Sequence, residues 1–282
     1  MVTPHPHLRD GGPRTAMRVV LVVLAAVVVF VAVGGLATLA VGLSGTRVVT
    51  DSQELPAGVR ALTLDTGDLP LAVRLITDSD ASRPYVDLRM LTRAVDTQMM
   101  VANDAADSRV TLGDSGSAFP LPFGVDTGEI TVILPPGVAK GLRVTVTHQT
   151  GPIESEADLD QLIVRTDTGT VTLSGSARLM DITVRNGDID TGARIAVTES
   201  FRAITQSGRV SVEFRAAPRT TEAVASGQVT LGLPGATPYR ITAGSATPHG
   251  NVIVTAPQTS ELSAPVVTAR STSGNVVVSQ IR

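Results

Sequence analysis

Along the C-terminal two-thirds of the chain, apolar residues alternate with Thr, Ser, Arg and Asp on either side of a recurring glycine. The phrase is a small polar residue, then Gly, then an apolar residue at Gly+2 and usually another at Gly+4. It reads TGEITV at Thr127, TGPIES at Thr150, TGTVTL at Thr168, NGDIDT at Asn186, SGRVSV at Ser207, SGQVTL at Ser226, HGNVIV at His249 and SGNVVV at Ser273. Alternation of period two places such side chains on one face of a strand. Leu142, Val144 and Val146 precede Gly151, and Leu162 and Val164 precede Gly169. After the glycines come Ile130/Val132, Val171/Leu173, Val210/Val212, Val229/Leu231, Val252/Val254 and Val276/Val278. Ser155 and Thr191 interrupt the pattern at Gly+4, which predicts two poorly filled positions. No segment beyond the N-terminal apolar run carries a helical period.

The glycines recur about every twenty residues, the spacing of stacked repeats. Two all-β arrangements fit. In a β-solenoid, or β-helix-like repeat, each unit adds one rung of short strands, whereas in a meander each glycine turn is a hairpin tip, which Asn-Gly and Ser-Gly also favour. Unbroken repetition and a thin aliphatic core favour the solenoid. Terminal units of such stacks lack one neighbour and are atypical. This reading makes 59–128 an irregular N-terminal cap or first repeats and 129–282 the regular β-strand repeats.

A different pattern occupies the N-terminus. Val19 to Leu43 is almost wholly apolar and uncharged, and about 20 such residues suffice to cross a bilayer as a helix. The run is too long for an ordinary signal-peptide apolar region of about 7–15 residues, so it predicts a retained anchor over 18–43, with a signal cleaved at the small residues around Thr38 to Ala40 as the alternative. Arg9, Arg14 and Arg18 precede it, and Asp51 and Glu54 follow. The positive-inside tendency then sets a cytoplasmic tail at 1–17, a stalk at 44–58 and the repeat domain outside the cytoplasm. Gly34, Thr38 and Gly42 form a small-residue ladder that would permit close helix pairing.

Composition narrows the function. Of 282 residues, 43% are hydrophobic but only 2% aromatic, with no Trp. Tyr85, Phe119, Phe123, Phe201, Phe214 and Tyr239 form no stripe of the kind that stacks sugars. A net charge of -3 gives no basic surface for nucleic acid. Cysteine is absent, which removes disulfides, thiolate metal sites and Cys nucleophiles.

The phrases LPAGVRALTLDTGDLPL near the start and ITVILPPGV at Ile130, with the serial strand–Ser/Asn-Gly–x–Val–x–Val units, resemble the bacterial putative-adhesin family of β-strand-repeat domains of unknown function. The resemblance covers about Val59 to Arg282. It implies a solenoid-like ectodomain, often behind an N-terminal membrane helix, and supplies no catalytic residues.

Several motifs imitate chemistry. Asp-Thr-Gly at Asp65, Asp126, Asp167 and Asp190, with Asp-Ser-Gly at Asp114, is the aspartic-protease tripeptide, whose function needs two carboxylates sharing a proton. Asp and Gly are also ordinary turn residues, and equivalent turns carry Gln206-Ser-Gly and Arg185-Asn-Gly. Asp167, Asp188 and Asp190 are calcium candidates, with Asp158 and Asp160 as a second cluster, although calcium takes six to eight oxygen ligands. The exported part holds two histidines, His148 and His249, and no G-x-S-x-G elbow. The expectation is a non-enzymatic, cofactor-free membrane protein of the cell envelope, binding or bracing an envelope or surface partner. An envelope-stress sensor acting through a membrane partner is the alternative, and an envelope-polymer enzyme a third.

Overall fold

The computed structural model describes residues 47–92, 98–104, 106–113, 128–235 and 237–281. The expected tail, the membrane span and its Gly34/Thr38/Gly42 ladder lie outside the described residues. Among those described, no helix is long and apolar enough to cross a membrane. They are all-β apart from a four-residue helical turn at Pro136–Ala139. Residues 47–54, expected as stalk, form the strand Arg47–Glu54 and pair with the strand Tyr85–Thr92.

Each repeat contributes one strand to each of two faces, and strands of successive repeats lie parallel. On the first face Arg143–Thr150, Asp158–Thr168, Ser176–Asn186, Ile195–Ser207 and Thr220–Ala225 pair in that order. On the second, Ile153–Glu156, Val171–Leu173, Ile189–Thr191, Val210–Ala216 and Val229–Pro234 do the same. The glycine turns carry the chain from one face to the other, so they are not hairpin tips and the meander does not describe this region. Tyr85–Thr92 against Gly128–Leu134 and Gln98–Asp104 against Asp107–Gly113 pair antiparallel, both near the N-terminal end of the stack.

Parallel register turns the alternating pattern into columns. Leu62, Val144, Leu162, Met180 and Phe201 sit side by side facing inward, as do Leu64, Val146, Val164, Ile182 and Ala203. All are buried. Opposite them stand Val73, Ile153, Val171, Ile189, Val210 and Val229. Burying a Val or Leu contributes about 1.5–3 kcal/mol, so these columns hold the stack together. The sparse aromatics fill one level: Phe201 and Phe214 meet edge to face at 5.1 Å. At the two Gly+4 exceptions, Ser155 is buried with an unpartnered hydroxyl. Thr191 is half-buried, and its hydroxyl accepts from the Glu213 amide at 3.1 Å.

The repeated glycine is needed for two reasons at once. Gly169 and Gly187 have φ of 146° and 145°, a region nearly closed to residues with a Cβ. A Cβ on Gly169 would also overlap the Gly151 carbonyl, and one on Gly187 the Gly169 carbonyl. The amides of Gly151 and Gly169 donate to the Thr168 and Asn186 carbonyls at 3.0 Å. The ladder therefore continues unbroken around the corner.

Chain order and spatial order part company at both ends. The rung formed by Ala61–Asp65 and Ala72–Thr77 lies between the rung of Asp107–Gly113 and Gly128–Leu134 and the rung of Arg143–Thr150 and Ile153–Glu156. At the far end, Val266–Ser271 and Val276–Ile281 insert between Thr220–Ala225/Val229–Pro234 and the outermost rung, Arg240–Ser245/Val252–Val254. The outermost rung is thus made from chain that precedes its inner neighbour.

Candidate functional site

Residues at Gly−4 and Gly−2 on the long strands of the first face point outward, because the inward positions are taken by the columns. In register they build two polar rows beside the glycine corner: Thr147, Arg165 and Thr183, and Gln149, Asp167, Arg185 and Gln206. Together they line a cleft of about 340 Å³. Arg185 pairs with Asp167 at 3.1 Å, and the Gln149 side-chain amide donates to the Asp68 carboxylate. Arg165 bonds Asp181 at 2.7 Å and also donates to the Asp181 carbonyl at 3.0 Å.

Two chains of charge extend across the same face. Asp181 joins Arg165 to Arg202, which reaches Glu222 at 3.1 Å. Arg178 bridges Asp160 at 2.8 Å and Glu199 at 2.7 Å. The Arg178 hydrogen bond holds the Asp160 carboxyl below its ordinary pKa, and the two carboxylates in turn raise that of Arg178. Most of these groups are over a third exposed, so water and salt screen each pair strongly. The result is a face dense in fixed hydrogen-bonding groups and nearly balanced in charge.

Beneath the cleft lies an inward polar column at Gly−3. It runs from Thr66 through His148 and Thr166 to Thr205, with Val184 the apolar member between the last two. Thr205 donates to the Gly187 carbonyl at 2.8 Å, and Ser271 plays the same part for Gly227 at 2.6 Å. His148 replaces the hydroxyl at this level. It is buried, with Nδ1 2.6 Å from Thr66 Oγ1 and Nε2 unpartnered. Burial lowers its pKa to about 4, against the opposing pull of the Leu71, Thr150 and Gly151 backbone.

The sequence-predicted candidates are dispersed. Asp65 accepts from the Gly67 amide at 3.1 Å, closing its own turn, while Asp114 and Asp126 lie outside the described residues. Asp167 is committed to Arg185. Asp188 accepts from the Arg209 amide and guanidinium, each at 3.0 Å. Asp190 lies within the strand Ile189–Thr191 on the other face, its pKa raised by burial and then by Asp188. Asp158 accepts from the Ser176 hydroxyl at 2.6 Å. Among the described residues, no three His, Asp or Glu side chains stand together as a metal site. The cleft residues Arg165, Arg185, Thr183, Gln149 and Gln206 are legible only when the glycine turns are aligned on one another.

No family model and no curated protein matches the chain. Three similar solved structures are a putative cell adhesion protein from Clostridium sporogenes, a putative adhesin from Bacteroides fragilis and a putative lipid binding protein from Parabacteroides distasonis. Each is 11% identical. They cover 83%, 83% and 84% of this chain and 100%, 97% and 97% of their own, with TM-scores of 0.42, 0.40 and 0.39.

Proposed function

We propose that this chain is a single-pass, N-in membrane protein of the cell envelope that displays a β-solenoid domain outside the cytoplasm and acts by binding rather than catalysis. The observation that carries the reading is the outward face built by the Gly−4 and Gly−2 rows. Stacked strands repeat every ~4.8 Å, so a ligand with repeating hydroxyl or amide groups can engage successive rungs. Repeat proteins commonly bind through such extended faces. With amide, hydroxyl and guanidinium donors but no aromatic platform, the cleft suits a hydroxyl-rich envelope polymer held by hydrogen bonds.

The test is retention of the full-length protein, in mild detergent, on immobilised envelope polysaccharide, with and without calcium. The wild type is retained in both conditions, and the pair Gln149→Ala and Gln206→Ala reduces retention about tenfold, the effect of losing about 1.4 kcal/mol. Absence of retention in both conditions, or retention indifferent to the double substitution, overturns the reading.

A further inference from the structure

The two ends of the stack are finished differently. At the N-terminal end, Val86 and Leu88 continue the columns of Val132 and Ile130 and are fully buried, and Met90 and Met99 close in beside them. The outer strands there, Arg47–Glu54 and Gln98–Asp104, carry Asp51, Glu54 and Asp104. Charged residues on edge strands are a common guard against pairing with another chain.

The C-terminal end has no such finish. Val252 stands in the column of Val229 and Val276, which are fully buried, yet it is 43% exposed. Ile241, Ala243 and Val254 continue inward columns and are only partly covered. Tyr239 and Ala256 plug one side of this end, with the Tyr239 hydroxyl donating to the Pro234 carbonyl at 2.7 Å. The other side is open, and Ile253 on the outermost rung stands exposed. Arg240–Ser245 and Val252–Val254 each have a strand partner on one side only, and the outer edge is covered just before the first of them, where Tyr239 pairs with Gln258. Neither strand contains Asp, Glu or Lys, and Arg240 is their one charge. Glu261 falls in the following loop.

We propose that this open end is an interface between two copies of the chain, joined end to end about a two-fold axis. Head-to-tail repetition would set the apolar columns against the closed, acid-bearing N-terminal end. A two-fold pairing instead buries both open ends at once and closes the assembly. The strand Arg240–Ser245 then meets its own copy antiparallel with Thr242 at the axis, so that no carboxylate lies at the join and Arg240 stands opposite Gly244 rather than another Arg240. Val48 lies toward the opposite end of the stack, so the two copies of Val48 in such a pair stand far apart. Taken with the anchored reading proposed above, on which this last step alone rests, the pair bridges two facing membranes.

Light scattering on the full-length protein in detergent is expected to give a dimer mass. The substitution Thr242→Lys, at an exposed position on the open strand, weakens dimerisation about tenfold or more while the monomer keeps its β-sheet circular dichroism spectrum. Val252→Lys is the second disruptor. Because the chain has no cysteine, Thr242→Cys crosslinks into a covalent dimer on mild oxidation, whereas Met100→Cys, exposed at the other end, does not. A monomeric wild type, an open-ended series of masses, capture of a different protein at Thr242→Cys, or equal crosslinking at both cysteines overturns the proposal. Proteoliposomes carrying the wild type should aggregate, and those carrying Thr242→Lys should not. A solution dimer without aggregation overturns the membrane-bridging step and leaves both the pairing and the polymer-binding face standing.

Discussion

His148 and Thr66, 82 residues apart in the chain, meet at 2.6 Å inside the stack, where every neighbouring rung places a hydroxyl or an apolar group. The contact holds a neutral imidazole in a site that resists its charging. Its folded pKa of about 4 lies below the ordinary 6.5, so the unfolded chain takes up the proton first. The associated stability is fully present above pH 6.5 and is lost as pH falls toward 4, by about 3 kcal/mol in all. Thermal melting between pH 7 and 4 should show this slope. His148→Thr, which restores the hydroxyl found at Thr166 and Thr205, should flatten it.

The glycine corner makes a sharper demand. Gly169→Ala and Gly187→Ala must both adopt a hostile φ and displace the carbonyl of the rung below, for a loss of about 3 kcal/mol or more. Gly244→Ala, where a Cβ meets nothing within 4 Å, should stay within about 0.5 kcal/mol of wild type. Urea unfolding of the three variants makes the comparison, and equal losses would refute the account of the corner.

Ser155 is a flaw left in an aliphatic column between Leu75 and Leu173. Its buried hydroxyl has no partner. Ser155→Ala removes that unsatisfied group and should raise stability by about 1 kcal/mol, visible as a shift in denaturation midpoint at unchanged slope.

How much of the stack is readable in the sequence follows from what alternation can and cannot encode. Gly+2 and Gly+4 identify the inward residues, and Val171, Val210 and Val229 lie where the pattern puts them. Alternation is local, however, and carries no record of which rung lies next to which. Val252 and Val276 both follow Gly-Asn at Gly+2, yet one is open to water and the other enclosed. The Asp-Thr-Gly copies mislead for a similar reason, since Asp167 ends a strand on one face and Asp190 sits within a strand on the other. The hydroxyl at Gly−3 in Thr166, Thr205 and Ser271 is visible in the sequence, but it reads as a solvent-facing group until the register turns it inward. The resemblance points to the fold class and leaves the cleft unspecified.

The ionic rows are ornament to stability and substance to the surface. Asp181→Asn separates Arg165 from Arg202, yet with both guanidiniums partly exposed the cost should stay near 1 kcal/mol. It should shrink further in molar salt. Melting at low and high ionic strength measures it.

Crossing of the chain at the C-terminal end predicts an inverted order of local opening. Amides of Val276–Val278, flanked by ladders on both sides, should exchange as slowly as those of Val229–Leu231. Amides of Val252–Val254 should exchange first, although they come earlier in the sequence. Hydrogen exchange read by mass spectrometry distinguishes this from simple fraying toward the last residue.

That crossing also sets where the molecule can change length over evolutionary time. Duplicating a unit between Arg143 and Pro234 adds one more level whose neighbours on each side are also its neighbours in sequence, and nothing else has to move. Duplicating a unit at either extremity would have to re-stitch a segment that passes outside its neighbour and returns. Longer and shorter descendants of this sequence should therefore differ in their middle and share their ends. The stack grows from the centre, like a bookcase extended by inserting shelves between fixed uprights.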